Sequence, residues 1–161
     1  MSEWNHFIHK GTLDEERFAQ RHLSDIKWSN NYQNMHEHWD MEGALNGKTL
    51  KFDVKGMKRK NRTDKETQDE WAWVEGTNVK GNPGWLKGVA DYIVFERGEY
   101  WLMVNREELL DFVQEKLKKN SYAEGKKPYH IYQRWGKKDK ITLVPFKDIE
   151  HCLKDIGKLE K

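Results

Sequence analysis

The chain has a single cysteine, Cys152, three prolines and no uninterrupted apolar stretch near the about 20 residues that a membrane-crossing helix needs. A lone cysteine excludes an internal disulfide, and no basic-plus-apolar signal segment stands before the first polar residues. The expectation is a reducing, intracellular and cytoplasmic setting with no membrane partner. Net charge is also scarce: at +2 there is no strong global field, so any nucleic-acid face has to come from local clustering. Internal repeats and low-complexity linkers are absent, and 161 residues suit one domain spanning 1–161. Aromatic side chains, by contrast, are plentiful. Eight Trp, six Tyr and six Phe in a chain that is 35% charged supply the large apolar groups a folded core needs and a disordered segment lacks.

Periodicity divides the chain into elements. Residues 12–27 begin with Thr12 as helix N-cap and Glu15 at capping-box spacing, and Ala19, Leu23 and Ile26 then share one helical face. Residues 28–36 form a connection. Between 38 and 55 apolar Met41, Leu45, Leu50, Phe52 and Val54 alternate with charged residues around Asn46-Gly47, the favoured two-residue hairpin turn. The segment ETQDEWAWVE has no clear period, and GNPG (81–84) is turn chemistry. VADYIVFE (89–96) and YWLMVN (100–105) form a second hairpin, the first arm apolar enough to be central in a sheet. Residues 106–119 form a helix with acids early and lysines late. Residues 120–128 read as a loop, YHIYQRW and ITLVPF as short strands around a Gly136–Lys140 turn, and DIEHCLKDIGKL as a closing helix. The predicted fold class is α/β: a central mixed β-sheet flanked by helices.

The first hairpin carries the chemistry. With Leu45 paired to Lys48, residue numbers across the ladder sum to 93, so Asp40 is predicted opposite Asp53. Like charges facing each other at that position destabilise the pair. Lys51 and Lys55 share that face, and a divalent cation would neutralise the two acids more completely than a lysine. Asp40, Asp53 and the Val54 backbone carbonyl make an all-oxygen set suited to Mg²⁺ or its substitute Mn²⁺. An ordinary amphipathic hairpin, with Glu42 paired to Lys51, accounts for the same residues.

Asp40, twelve residues, then Asp53-Val54-Lys55 resembles the PD-(D/E)xK nuclease superfamily, in which an acid on one strand is followed by acid-x-lysine on its neighbour. The resemblance covers about residues 12–96. It extends to members like the archaeal Holliday-junction resolvases, which place a glutamate on the first helix; Glu15 and Glu16 occupy that interval, with Glu16 the slight preference. Trp39 stands where the family has proline, and the third-motif acid is Asp instead of the commoner Glu. The resemblance implies a restriction-endonuclease-like core and a Mg²⁺-dependent endonuclease that hydrolyses DNA phosphodiesters, with a possible selectivity for branched DNA. Asp40, Asp53 and Glu16 or Glu15 would hold the metal, and Lys55 would orient water and stabilise developing charge. Dimerisation is common in such enzymes, so a homodimer is a further expectation.

Lys58, Arg59, Lys60, Arg62 and Lys65 follow the motif directly and read as a phosphate-binding run or as a solvated loop. Trp71, Trp73 and Trp85, interleaved with Lys80 and Lys87, read as base-stacking groups or, more commonly for Trp, as core. Asp91 heads its strand as a support for the site or as a cap. His36-Glu37-His38 lacks a third ligand at zinc spacing, and Cys152 reads as a small buried thiol without a catalytic partner. Two rival functions remain: a non-catalytic nucleic-acid-binding module of the same fold, and a tryptophan-rich protein-interaction domain.

Overall fold

The computed structural model describes residues 3–9, 11–77, 80–117 and 127–161. In chain order the elements are α1 (Leu13–His22), β1 (Ser24–Trp28), β2 (Met41–Leu45), β3 (Lys48–Lys55), β4 (Trp71–Thr77), β5 (Tyr92–Glu96), β6 (Tyr100–Asn105), α2 (Arg106–Leu117), β7 (Lys140–Pro145), α3 (Phe146–Cys152) and β8 (Ile156–Glu160). They cluster into two compact units. Unit 1 comprises Met1–Gly56, Gly88–Asn105 and Ile156–Lys161; unit 2 comprises Met57–Lys87 and Arg106–Asp155. Length alone gave no sign of this division.

Unit 1 is built on a six-stranded mixed sheet in the order β1-β2-β3-β5-β6-β8. Only β3 and β5 run parallel; every other neighbour pair is antiparallel. The fold class is therefore the expected mixture of helices and mixed sheet. Asn46 and Gly47, at φ 51° and 81°, make the tight turn between β2 and β3, and the ladder runs from Leu45↔Lys48 to Met41↔Phe52 as the turn chemistry requires. The second hairpin, β5 with β6, also forms, and β5 is central.

Helix α1 begins with the capping box: the Thr12 hydroxyl accepts from Glu15 N–H, and the Glu15 carboxylate accepts from Thr12 N–H. Its inner face is Glu15, Phe18 and Ala19, and the Phe18 ring lies 5.6 Å from both Phe52 and Trp101. The helix stops at Leu23, which is extended, so the predicted helix of 12–27 is too long. Residues 24–28 pair with β2 instead, through a bulge between Ser24 and Lys27 where Asp25 takes φ 52°. Pairing to a neighbouring strand outweighs the helical spacing of Ile26. Gly43 permits the close approach here, since a Cβ on it would lie 2.9 Å from Leu23 Cβ and 3.3 Å from Ser24 O.

Unit 2 holds the two-stranded antiparallel sheet β4-β7 with α2 and α3. The aromatic segment without a clear period is β4. Helix α2 forms over the described part of its predicted range and buries Leu109 and Val113; most of the predicted 120–128 loop lies outside the described residues. Three expectations are corrected. YHIYQRW makes an isolated bridge, Tyr132↔Ile141, in place of a strand, while ITLVP lies in β7 and Phe146 opens α3. The closing helix of 148–159 is α3 followed by β8, which pairs with β6 in unit 1. Cys152 ends α3 exposed to solvent, not buried. Among the described residues no helix is long and apolar enough to cross a membrane.

Candidate metal centre

The chain enters β2 from a π-helical turn, Gln33–Glu37, through His38 in the left-handed conformation. Trp39, at the family's proline position, is 2% exposed and donates its indole N–H to Glu37 Oε1 at 3.0 Å, while Lys51 Nζ lies 5.0 Å from its ring centre. Next comes Asp40, buried. Its backbone N–H donates to Phe52 O at 2.8 Å, so the simple register ends at Met41↔Phe52 and Asp40 does not stand squarely across from Asp53. The Asp40 carboxylate instead accepts from Val54 N–H at Oδ2 (2.7 Å) and from the Asn34 amide at Oδ1 (2.8 Å). Val54 thus enters the site visibly through its N–H.

Asp53 lies on β3, which is flanked on both sides, and is 3% exposed. Lys55, two residues on and on the same face, places Nζ 3.1 Å from Asp53 Oδ1. Asp53 Oδ2 is buried with no hydrogen-bond partner. A buried carboxylate oxygen in that state is costly unless something else completes it.

Glu15 and not Glu16 reaches the site, which reverses the preference drawn from the sequence. Glu15 shares a helix face with fully buried Phe18 and Ala19, at i+3 and i+4, whereas Glu16 is exposed. Leu23 and Ile26, which set the predicted inner face, lie past the helix end and do not orient it. Substituting Glu16 by Ala is therefore expected to leave metal affinity unchanged, and Glu15→Gln to lower it about 10- to 100-fold, checked by calorimetric titration with Mn²⁺.

His9 was not identified from the sequence. Its Nε2 lies 3.0 Å from Glu15 Oε1 and 3.8 Å from Asp40 Oδ1, and its backbone N–H donates to Ser29 O at 2.6 Å. It precedes α1 by a few residues at no motif spacing, and the Ile8–Asn30 bridge together with its own bond to Ser29 brings it in. One ligand atom each from His9, Glu15 and Asp40 lie within 4.8 Å of one another. Donors that close can share one ion, and each carboxylate oxygen retains a second lone pair beside its hydrogen bond. The His9, Glu15 and Asp40 donors fit a hard divalent cation, and Asp53, outside that group, leaves one buried oxygen unsatisfied. One imidazole among oxygens favours Mn²⁺ alongside Mg²⁺.

The charges are strongly interdependent. Burial raises the Asp40 pKa well above its ordinary value, and the Asp53 charge, with the hydrogen bond and charge of Glu15, raises it further against the pull of Lys55. Burial likewise raises Asp53, with Lys55 opposing. Burial alone would raise Glu15 too, but hydrogen bonds from His9, Asp40 and Thr12 outweigh it and hold its carboxyl at about 2. The two shifts run in opposite directions, favouring the neutral form of Asp40 and the ionised form of Glu15.

The remaining predicted residues separate from this centre. Asp91 is exposed, and its backbone N–H and carboxylate both bond to Lys51, so it seats the start of β5 and does not support the site. His36 packs on the Tyr32 ring, 4.7 Å between centres, and Glu37 is engaged by Trp39; the described three-group metal cluster is His9, Glu15 and Asp40. Lys58, Arg59, Lys60, Arg62, Lys80 and Lys87 belong to unit 2, where Lys60 is half-buried and the other five are exposed. Lys60 Nζ sits 4.8 Å from the Trp71 ring centre. Trp85 is 8% exposed in a short 3-10 turn, which removes it as a stacking group, and Trp73 packs edge-on against Tyr132. No family model, curated protein or solved structure matches the chain.

Proposed function

We propose that the chain is a metal-dependent deoxyribonuclease of PD-(D/E)xK type with a restriction-endonuclease-like core, and that unit 1 carries the reaction. The observation behind this reading is the buried, unpartnered Asp53 Oδ2 beside Lys55 Nζ, on the strand next to the one that Asp40 precedes. Two buried carboxylates at the hairpin and a third on α1 are costly to a purely structural arrangement. The order of helix acid, hairpin acid and acid-x-lysine strand, followed by a parallel neighbour strand, agrees with the family resemblance.

Asp40, Asp53 and Glu15 would hold Mg²⁺ or Mn²⁺, with His9 and the Val54 carbonyl as additional donors. When bound, the ion supplies Lewis-acid polarisation of a phosphate oxygen and a lowered water pKa. The protein's own groups do the rest. Asn34 and the Val54 N–H fix the Asp40 carboxylate from two directions, and His9 with Thr12 fixes Glu15 in its ionised form. Lys55, a quarter exposed and anchored on Asp53, can orient the attacking water and offset negative charge as it develops on the phosphoryl oxygens.

Supercoiled plasmid and branched DNA incubated with Mg²⁺ or Mn²⁺ should be nicked, EDTA should stop the reaction, and Lys55→Ala should slow it about 10²–10³-fold. DNA binding without cleavage in either ion would reject the hydrolase. The run Lys58, Arg59, Lys60 and Arg62 is assigned to the phosphate backbone. Changing Lys58, Arg59 and Lys60 together to Ala should weaken binding and reduce the slope of log affinity against log salt by up to about 0.9 for each phosphate no longer neutralised, measured by anisotropy on a duplex.

A further inference from the structure

Of the seven large apolar residues exposed among the described residues of unit 1, all but Leu13 and Val89 lie on two segments. Trp4, Phe7 and Ile8 on one are 49%, 59% and 70% exposed, and Tyr32 and Met35 on the other 37% and 45%. The backbone holds these segments together: Asn31 N–H donates to Phe7 O at 2.9 Å, the Asn31 amide to Trp4 O at 2.9 Å, and Ile8 bridges Asn30. The neighbouring amides are spent on shaping the surface. Asn30 and Gln33 exchange side-chain-to-backbone hydrogen bonds at 2.8 and 2.9 Å. Leu13, 71% exposed, adds to the apolar surface at the start of α1.

The same two segments reach the metal centre. His9, next to Ile8, contacts Glu15, and Asn34, next to Met35, donates to Asp40 Oδ1. Whatever seats on this surface therefore borders the carboxylates. An exposed apolar patch marks an interaction site, and a protein docked there would obstruct the substrate. Aromatic faces offer little to a phosphate backbone and nothing to bases stacked inside a duplex, whereas they suit bases that are splayed out.

We propose that Trp4, Phe7 and Tyr32 form a stacking platform for unpaired nucleobases beside the metal centre, so that the substrate is single-stranded DNA in preference to continuous duplex. The proposal rests on the nuclease reading and names its substrate class. It also moves stacking from Trp85, which is buried, to rings that sequence pattern alone does not single out.

The test uses the full chain in an Asp53→Asn background, which prevents cleavage, with and without Trp4→Ala, Phe7→Ala and Tyr32→Ala together. Anisotropy is read with fluorescein-labelled single-stranded DNA and with a blunt duplex of the same sequence in Mg²⁺. The triple variant should keep its melting temperature, lose about tenfold or more in single-strand affinity and hold its duplex affinity nearly constant. Equal losses on both probes, or none on either, would overturn the platform. So would sedimentation showing a parent dimer that the triple variant converts to monomer, because the patch would then face a second copy. The two readings fail separately. Loss confined to single strands in a protein whose native form cuts nothing in Mn²⁺ keeps the platform and rejects hydrolysis; cleavage by the native form with no such loss does the reverse.

Discussion

Replacing Asp53 by asparagine is expected to abolish cleavage while stabilising the metal-free protein. The carboxylate is 3% exposed, one oxygen faces Lys55 at 3.1 Å and the other has no partner. Burial raises its pKa above the ordinary 3.8 despite Lys55. The sign follows directly. Below the unfolded value the group is neutral in both states and costs nothing; as pH rises through the raised folded value, the unfolded chain ionises freely and the folded one does so only at a cost, so stability falls. Asparagine matches the neutral acid in shape and never ionises. The melting-temperature gap between Asp53→Asn and the native chain, measured in EDTA, should be small near pH 4 and widen towards pH 8. Lys55, being partly exposed, is not left stranded when its partner becomes neutral. Cleavage should fall by at least about 10²–10³-fold. A variant that melts lower than the native chain at pH 8, or that cuts normally, contradicts the assignment.

Metal affinity is expected to rise steeply with pH, with a proton released on binding. Glu15, held at about 2, is ionised throughout the useful range, whereas Asp40 is raised well above its ordinary value by burial and by the Asp53 charge. The raised Asp40 value sets a proton in competition with a cation. Apparent Mn²⁺ affinity should therefore increase about tenfold per pH unit while Asp40 remains protonated and then level off. Calorimetry in two buffers of different ionisation enthalpy would count the released protons. A flat profile with no proton release would mean that the cation binds elsewhere. Glu15 acts in the opposite direction on stability: its contribution is present above its ordinary 4.5 and is lost as pH falls towards 2.

The parts of this centre that were legible in sequence are those set by short-range rules. Asn46-Gly47 specifies a turn, the turn fixes register, and register brings the end of β2 to the middle of β3, so Asp40, Asp53 and Lys55 follow from local chemistry. The capping box at Thr12 and Glu15 was equally readable and already tied Glu15 to the helix start; extending the helix across Ser24–Trp28 obscured which glutamate faces inward. What stayed hidden depends on long-range pairing. His9 reaches Glu15 because residues 8–9 pair with 29–30, and β8 exists because β6 offers it an edge. The mixed sheet could be anticipated from alternating and apolar runs, but not its division from a second unit, since unit 2 is assembled from segments on either side of β5 and β6.

The central claim is that Asp53 and the Asp40, Glu15 and His9 group hold one divalent centre. Crystals soaked in Mn²⁺ and measured at the manganese absorption edge test it most directly. An anomalous peak within coordination distance of Asp40 and Asp53, about 2.0–2.3 Å from their oxygens, is the expected result. Density that leaves Asp53 Oδ2 without a ligand at saturating Mn²⁺, or an ion bound only away from these residues, would contradict it.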